Sequence, residues 1–240
     1  MTVPAIYQGL WRRTGIWRSD GSSDMSTQVW WLQAGRFHID LRIPFDRPAP
    51  RDRAHVAVLP ASQLARFGAQ TGFAGATVVA GERCEWHPEI AFPALGEDLD
   101  AGWMRFKDAD ALHETGVDNS YEEDWVRMAS GPMLGLRFED PHSEAVAYLV
   151  AGERWMGWAC GSPADVFDPQ SPLAGEWTEI TVLHKGGNWT VAGSTLPWLE
   201  GREVPAASAL EPDRLRLWCV GDLVAIPYAP HHLWRLATID

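Results

Sequence analysis

Hydrophobic and polar positions alternate with a period of two along most of the chain, which is the signature of strands with two unlike faces. Residues 28–33 (QVWWLQ) and 36–43 (RFHIDLRI) read as two strands joined by a short Ala-Gly hairpin connection. In the second of these, Phe37, Ile39, Leu41 and Ile43 share one face, and His38, Asp40 and Arg42 share the other. An earlier strand runs from Gly9 to Trp17 and ends in the polar turn Ser19-Asp20-Gly21-Ser22-Ser23. The same reasoning predicts strands at 73–79, 83–87, 102–106 and 121–128. After the break at Ser130-Gly131-Pro132 it predicts more at 133–139, 145–150, 154–160, 176–184, 188–192, 214–227 and Leu233–Ile239.

Breaks in the pattern are few. Residues 44–53 hold three prolines and form a loop. Residues 60–70 (PASQLARFGAQ) are the best helix candidate, with Ser62 as its cap and Leu64 and Phe67 on one face. VAGER occurs at Val79–Arg83 and again at Val150–Arg154. Its offset does not fit a duplication, and a shared hairpin turn on Ala-Gly-Glu explains it. Short strands punctuated by glycine and proline predict an all-β barrel or sandwich rather than a βαβ fold.

Composition changes this picture in one respect. Tryptophan is present in 14 copies against 4 Tyr and 8 Phe, and rigid aromatics at that density fill β interiors or line a ligand cavity. The formal net charge is −12, spread as +3 over residues 1–60, −9 over 61–125 and −6 over the remainder. An acidic surface repels phosphate backbones, so nucleic acid is not an expected partner. No apolar run reaches membrane-spanning length, and the start lacks the features of a secretory signal, so the expected setting is cytoplasmic. Three widely spaced cysteines, Cys84, Cys160 and Cys219, fit free thiols in a reducing compartment.

Gly9-Leu10-Trp11 at the start of the first strand resembles the G-x-W of lipocalins and other calycins. The resemblance implies that Trp11 packs across a closed barrel end against a basic side chain from a late strand, for which Arg127 or a neighbouring basic side chain is the candidate. GLWRR, QVWWLQ and Ile39–Pro44, with the later stretch Ala145–Trp158 (AVAYLVAGERWMGW), are similar to a two-domain calycin-like family. That family contains a fungal casein-kinase-interacting protein and many bacterial proteins. The resemblance implies two tandem lipocalin-like antiparallel β-barrels with one or two short helices, over residues 1–129 and 130–240. It carries no catalytic residues across.

Candidate chemistry sits on one face of several first-half strands: His38, Asp40 and Arg42; Glu85 and His87; Tyr121, Glu123, Trp125 and Arg127. Pointing inward, that face makes a polar lumen in which Arg beside a carboxylate orients a ligand and a desolvated carboxyl holds a proton. Pointing outward, it is an ordinary wet sheet face, with Phe37, Ile39, Leu41 and Ile43 filling the interior. Both readings stay open on sequence alone. Metal ligation is not expected: Cys84 and His87, three apart on a strand, face opposite sides, and adjacent His231 and His232 diverge. There is no G-x-S-x-G elbow, and Gly186-Gly187-Asn188 reads as a hairpin connection rather than a phosphate loop. No cofactor is expected.

Two functions are compatible with these residues, beside a plain scaffold. The first is a binding module for an apolar or amphipathic small molecule, using Trp11, Trp31, His38, Asp40, Arg42, Tyr121, Glu123 and Trp125. The second is a cofactor-free lyase, isomerase or cyclase with acid–base chemistry on Asp40, Arg42, Glu85 and His87. A homo-oligomer stays open, and no membrane partner is expected.

Overall fold

A computed structural model describes residues 2–204, 219–220, 223–226 and 229–240. It is built almost wholly of antiparallel strands in two sheets. The first holds β1 (Gly9–Arg18), β2 (Ser23–Asp24), β3 (Gln28–Gln33), β4 (Phe37–Ile43), β5 (Thr71–Ala80), β6 (Arg83–Phe92), β7 (Asp100–Phe106), β8 (Ala111–Gly116) and β9 (Tyr121–Ser130). Neighbours pair in the order β2-β1-β3-β4-β5-β6-β7-β8-β9, and β1 also pairs with β9. Eight strands therefore close into a barrel, with β2 an appendage on β1.

The second sheet holds β10 (Leu134–Glu139), β11 (Val146–Ala151), β12 (Trp155–Gly161), β13 (Glu179–Lys185), β14 (Trp189–Ser194), β15 (Glu203–Val204), β16 (Cys219–Val220), β17 (Leu223–Ile226) and β18 (Ala229–Ile239). Its order is β15-β14-β13-β12-β11-β10-β18-β17-β16. This sheet curls strongly. Trp158 on β12 and Trp234 on β18 are three strands apart in the order, about 14 Å in a flat sheet, yet their ring centroids lie 6.0 Å apart.

Most expected strands appear close to their predicted limits. Both VAGER copies end at hairpins: Ala80 pairs with Arg83 across a two-residue turn whose Gly81 has φ +64°, and Ala151 pairs with Met156. Gly186-Gly187-Asn188 connects β13 to β14, as its composition predicts. Residues 111–116, not expected to be a strand, form β8. The expected strand at 214–227 falls partly outside the described residues. The two helices are short, α1 (Arg53–Val56) and α2 (Ala61–Gly68). Pro60, not Ser62, takes the cap position of α2, and its carbonyl accepts from the Gln63 and Leu64 amides. Proline there sets an extended entry into the helix and removes a donor that the first turn cannot use. The buried Phe67 of α2 packs on Phe92, Phe167 and Trp177, away from the barrel lumen.

Three apolar layers follow from the strand period. One fills the lower lumen of the barrel and includes Tyr7, Trp11, Trp31, Trp86, Met104, Leu112 and Trp125. Another lies inside the curl of the second sheet and includes Phe138, Leu149, Met156, Trp158, Leu183, Trp189 and Trp234. The third lies between the sheets, where Trp30, Leu32, Ile39, Leu41 and Ile43 from the barrel's outer wall meet Tyr148, Val150, Ile180 and Val182. Strands at this seam are buried on both faces, so nearly every residue of β4 and every residue of β11 is buried. Close approach across the seam is made possible by glycine. A Cβ on Gly193 would come within 2.6 Å of the Trp30 ring, and one on Gly157 within 3.0 Å of Ile39. Arg137 on β10 clamps the same seam, donating to both oxygens of Glu89 on β6 at 2.6 and 2.7 Å. No helix among the described residues is long and apolar enough to cross a membrane.

Candidate functional site

The lumen of the barrel is set by the parity of β4. Trp31 on β3 pairs directly with Asp40, and Leu32 with Ile39. Directly paired residues share a face. Trp31 belongs to the lumen cluster and Leu32 to the seam, so His38, Asp40 and Arg42 point inward while Ile39 and Leu41 point out. The outward apolar face is covered by the second sheet, not by water.

The lower end of the lumen is sealed. The 3-10 turn Ala5–Tyr7 packs beneath it, and the Trp11 indole N–H donates to the Tyr7 carbonyl at 2.8 Å. Trp11 pairs with Arg127 across β1 and β9, and the guanidinium sits 4.4 Å from the Trp11 ring. Arg127 also donates to the carbonyls of Gln8 and Ile6 at 2.9 and 2.7 Å. A cation over an indole, tied to the backbone of the plugging turn, contributes about 0.5–2 kcal/mol and fixes the turn in place. This is the pairing the G-x-W resemblance implies.

Above this plug is a cavity of about 180 Å3 lined by Ile16, Trp31, Asp40, Arg42, Trp86, Asp100, Glu114, Tyr121, Glu123 and Trp125. Aromatic and ionisable groups alternate around it. Arg42 Nε donates to Asp40 at 2.7 Å, and its terminal nitrogen reaches Asp100 at 3.3 Å. Arg13 on β1 donates to Glu123 at 2.6 Å and lies 3.8 Å from Asp24. Glu114 on β8 accepts from the Tyr121 hydroxyl at 2.8 Å and from the Trp125 indole at 3.1 Å. Space for Glu114 comes from Gly102 on the neighbouring strand, where a Cβ would lie 2.7 Å from the carboxyl group.

Burial sets the protonation of these groups. Asp40, 3% exposed, is pushed up to about 6 by desolvation, against the pull of Arg42. Glu114, 2% exposed, is raised well above the ordinary carboxylate range by burial, with Glu123 and Asp100 adding to it. A carboxyl held neutral in this way can donate a proton or a hydrogen bond. Among the described residues no three His, Cys, Asp or Glu side chains converge to hold a metal ion.

Six of the eight residues predicted to bind a ligand line the cavity: Trp31, Asp40, Arg42, Tyr121, Glu123 and Trp125. Trp11 lies below it, in the plug. His38 is fully buried beside Phe73 and bonds to Thr77 through Nδ1 at 3.0 Å. The Thr77 hydroxyl spends its single proton on Gln33 at 2.8 Å, so His38 Nδ1 is the donor and Nε2 is left without a partner. Desolvation pushes His38 down to about 3, which keeps it neutral.

The other two predicted catalytic residues do not reach the lumen. Cys84 and Trp86 occupy the inward positions of β6, so Glu85 and His87 stand on the outer wall. There His87 is exposed and bonds to Glu85 at 3.0 Å, and Arg83 bonds to Glu85 at 2.7 Å. The hydrogen bonds from His87 and Arg83 hold the Glu85 carboxyl below its usual range. Five residues of the site were not predicted, Ile16 on β1 among them. Trp86 and Glu114 show inward parity only once β6 and β8 are placed. Asp100 opens β7, two residues before the strand expected at 102–106, and Arg13 follows Trp11 by two on β1.

A closed eight-stranded antiparallel barrel with an ionisable lumen, joined to a second antiparallel sheet, defines the class of protein. No protein-family model matches the chain, and no curated protein sequence does. Among solved structures it is similar to the uncharacterized protein YLR301w from Saccharomyces cerevisiae, with a TM-score of 0.60 at 13% identity. The alignment covers 96% of this chain and 98% of that one. At this identity the likeness is one of fold, and it spans both sheets.

Proposed function

We propose that this chain is a calycin-like small-molecule binding protein whose site is the lumen of the first barrel. The observation that carries this reading is the cavity above the Trp11–Arg127 plug, where indoles and ionised side chains face one enclosed space. Its 180 Å3 lies below the 300–1,000 Å3 of drug-sized sites and equals roughly six water molecules in liquid volume. The ligand class is therefore compact and polar with one apolar side, rather than a lipid chain. Trp31, Trp86 and Trp125 report on occupancy, because an indole beside a bound molecule changes its emission. A panel of compact metabolites, read by tryptophan fluorescence and thermal shift, is expected to yield saturable binding. A panel that leaves both signals unmoved would overturn the proposal.

One observation favours a second reading, acid–base catalysis in the same lumen. Asp40 and Glu114 are both raised carboxyls lining the cavity, and Arg42 stands beside the first. A carboxyl that titrates near neutrality is suited to general acid work. Under this reading Asp40→Asn abolishes turnover of a bound hit while preserving the affinity. Hits that bind and are recovered chemically unchanged exclude it.

A further inference from the structure

The lumen holds more negative than positive charge. Four carboxyl groups line the cavity, from Asp40 on β4, Asp100 on β7, Glu114 on β8 and Glu123 on β9. Two guanidinium groups face them. Arg42 is shared between Asp40 and Asp100, and Arg13 between Glu123 and Asp24. Glu114 is left over: its two partners, the Tyr121 hydroxyl and the Trp125 indole, are both neutral, and no Arg, Lys or His among the described residues lies within salt-bridge reach of it. The charged groups near it are the acidic Glu123 and Asp100 and, beyond salt-bridge reach, Arg42, whose guanidinium is already engaged by Asp40 and Asp100.

A carboxyl whose direct partners are neutral donors, with the nearest cation already paired elsewhere, resists ionising, because its charge would lose hydration without gaining a full counter-charge. Beside it lies open space bounded by Trp31, Trp86 and Trp125, and indole rings attract cations through their quadrupole. The carboxylates do not converge as metal ligands do, so the missing charge is better supplied by an organic group with its own apolar body. At an interior packing density of about 0.74, the cavity of about 180 Å3 admits roughly 130 Å3 of ligand, the size of a short alkylamine. Taking the lumen as the binding site, we infer that its ligand is a small organic monocation, an alkylammonium, that pairs with Glu114 and displaces its proton to solvent. Anions meet the opposite situation: both guanidinium groups are already engaged, and an added negative charge would face four carboxyls.

Binding is then linked to pH with a definite sign. Below the titration of Glu114, each ammonium bound releases one proton, so affinity rises by up to about tenfold per pH unit. Above it the affinity levels off, until the amine itself loses its charge.

The test compares three probes of equal length on the full chain: n-butylammonium, butan-1-ol and butyrate. Calorimetry at pH 7 in two buffers of different ionisation heat counts the protons released. The expected result is a preference of at least about tenfold for the ammonium over the alcohol, no butyrate binding, and a net release of protons on binding. Glu114→Gln keeps one acceptor oxygen, for the Trp125 indole, and its amide NH2 can donate to the Tyr121 hydroxyl oxygen once that hydroxyl turns, so the site stays formed; it is expected to lose the proton release and about tenfold in affinity. Alcohol or butyrate binding as well as the ammonium, or proton release unchanged in Glu114→Gln, overturns the inference. So does a failure of all three probes. In that case a neutral or anionic hit in the fluorescence panel leaves the lumen reading standing, and a panel with no hits removes both.

Discussion

The interiors of the two sheets are built from the same strand period and filled in opposite ways. Inside the curl of the second sheet the large side chains are apolar: Phe138, Leu149, Met156, Trp158, Leu183, Trp189 and Trp234 pack on one another, and beside Trp158 the neutral Thr181 and Ser194 are hydrogen-bonded to each other at 2.8 Å. Inside the barrel, tryptophans of the same size share the space with Asp40, Arg42, Glu114 and Glu123. The first arrangement stabilises by removing apolar surface from water. The second gives up part of that stabilisation by desolvating charged groups and leaving a cavity open, and such concessions concentrate at functional sites. On the proposed function, the difference gives stability to one interior and ligand binding to the other.

Substitutions that separate these roles test the contrast. The largest effect is expected from Trp158→Ala, which empties a fully buried position of the second sheet and costs about 3–5 kcal/mol. Urea unfolding measures it, and the folded fraction should retain its ligand affinity; a loss of affinity on correcting for unfolded protein would break the contrast. Next comes the pH dependence that Asp40 imposes. Its carboxyl is raised in the folded state to about 6 from about 3.9 in the unfolded chain, so folding favours the protonated form. That contribution is complete below pH 4 and is lost as pH rises through 6, by about 3 kcal/mol. Asp40→Asn should flatten this part of the stability profile in pH-stepped unfolding, and an unchanged slope would show that Asp40 is not desolvated.

Glu114→Gln follows the same sign with a smaller effect. The variant removes a group that must either stay protonated or ionise beside Glu123 and Asp100. It should raise the melting temperature at pH 8 by about 2–4 °C, the shift that roughly 1 kcal/mol produces in a protein of this size, and leave it unchanged at pH 4. The smallest effect is expected on the outer wall. Glu85→Gln and His87→Ala touch a half-buried and an exposed group on the solvent side of the barrel and should change stability by less than about 0.5 kcal/mol, with ligand affinity unaltered. An affinity change there would move the site off the lumen.

Much of the strand order was legible because the period of two survives in residues such as those of β3 and β4, and because Gly81 and Gly186-Gly187 mark their turns. Parity was legible, but its direction was not. Alternation separates Asp40 from Ile39 without telling which of them faces inward, and in β4 both sides are buried, one by the lumen and one by the second sheet. The inward face also changes character from strand to strand. It is polar on β4 and apolar on β6, where Cys84 and Trp86 point in, so grouping polar residues by type carried Glu85 and His87 to the wrong side. β8 was missed because ALHETG is short, flanked by Asp108, Asp110 and Asp118, and places a glutamate at an inward position. A buried carboxyl looks like a surface residue until its neighbours Tyr121, Trp125 and Gly102 are seen around it.

The Arg127–Trp11 plug turns the barrel into a blind-ended vessel. Whatever enters at the level of Arg42 and Asp100, the partly exposed members of the lining, must leave by the same mouth. On the proposed function, a bound molecule has to back out past Arg42 and Asp100 before another can take its place, so departure, not arrival, sets how long the vessel stays full.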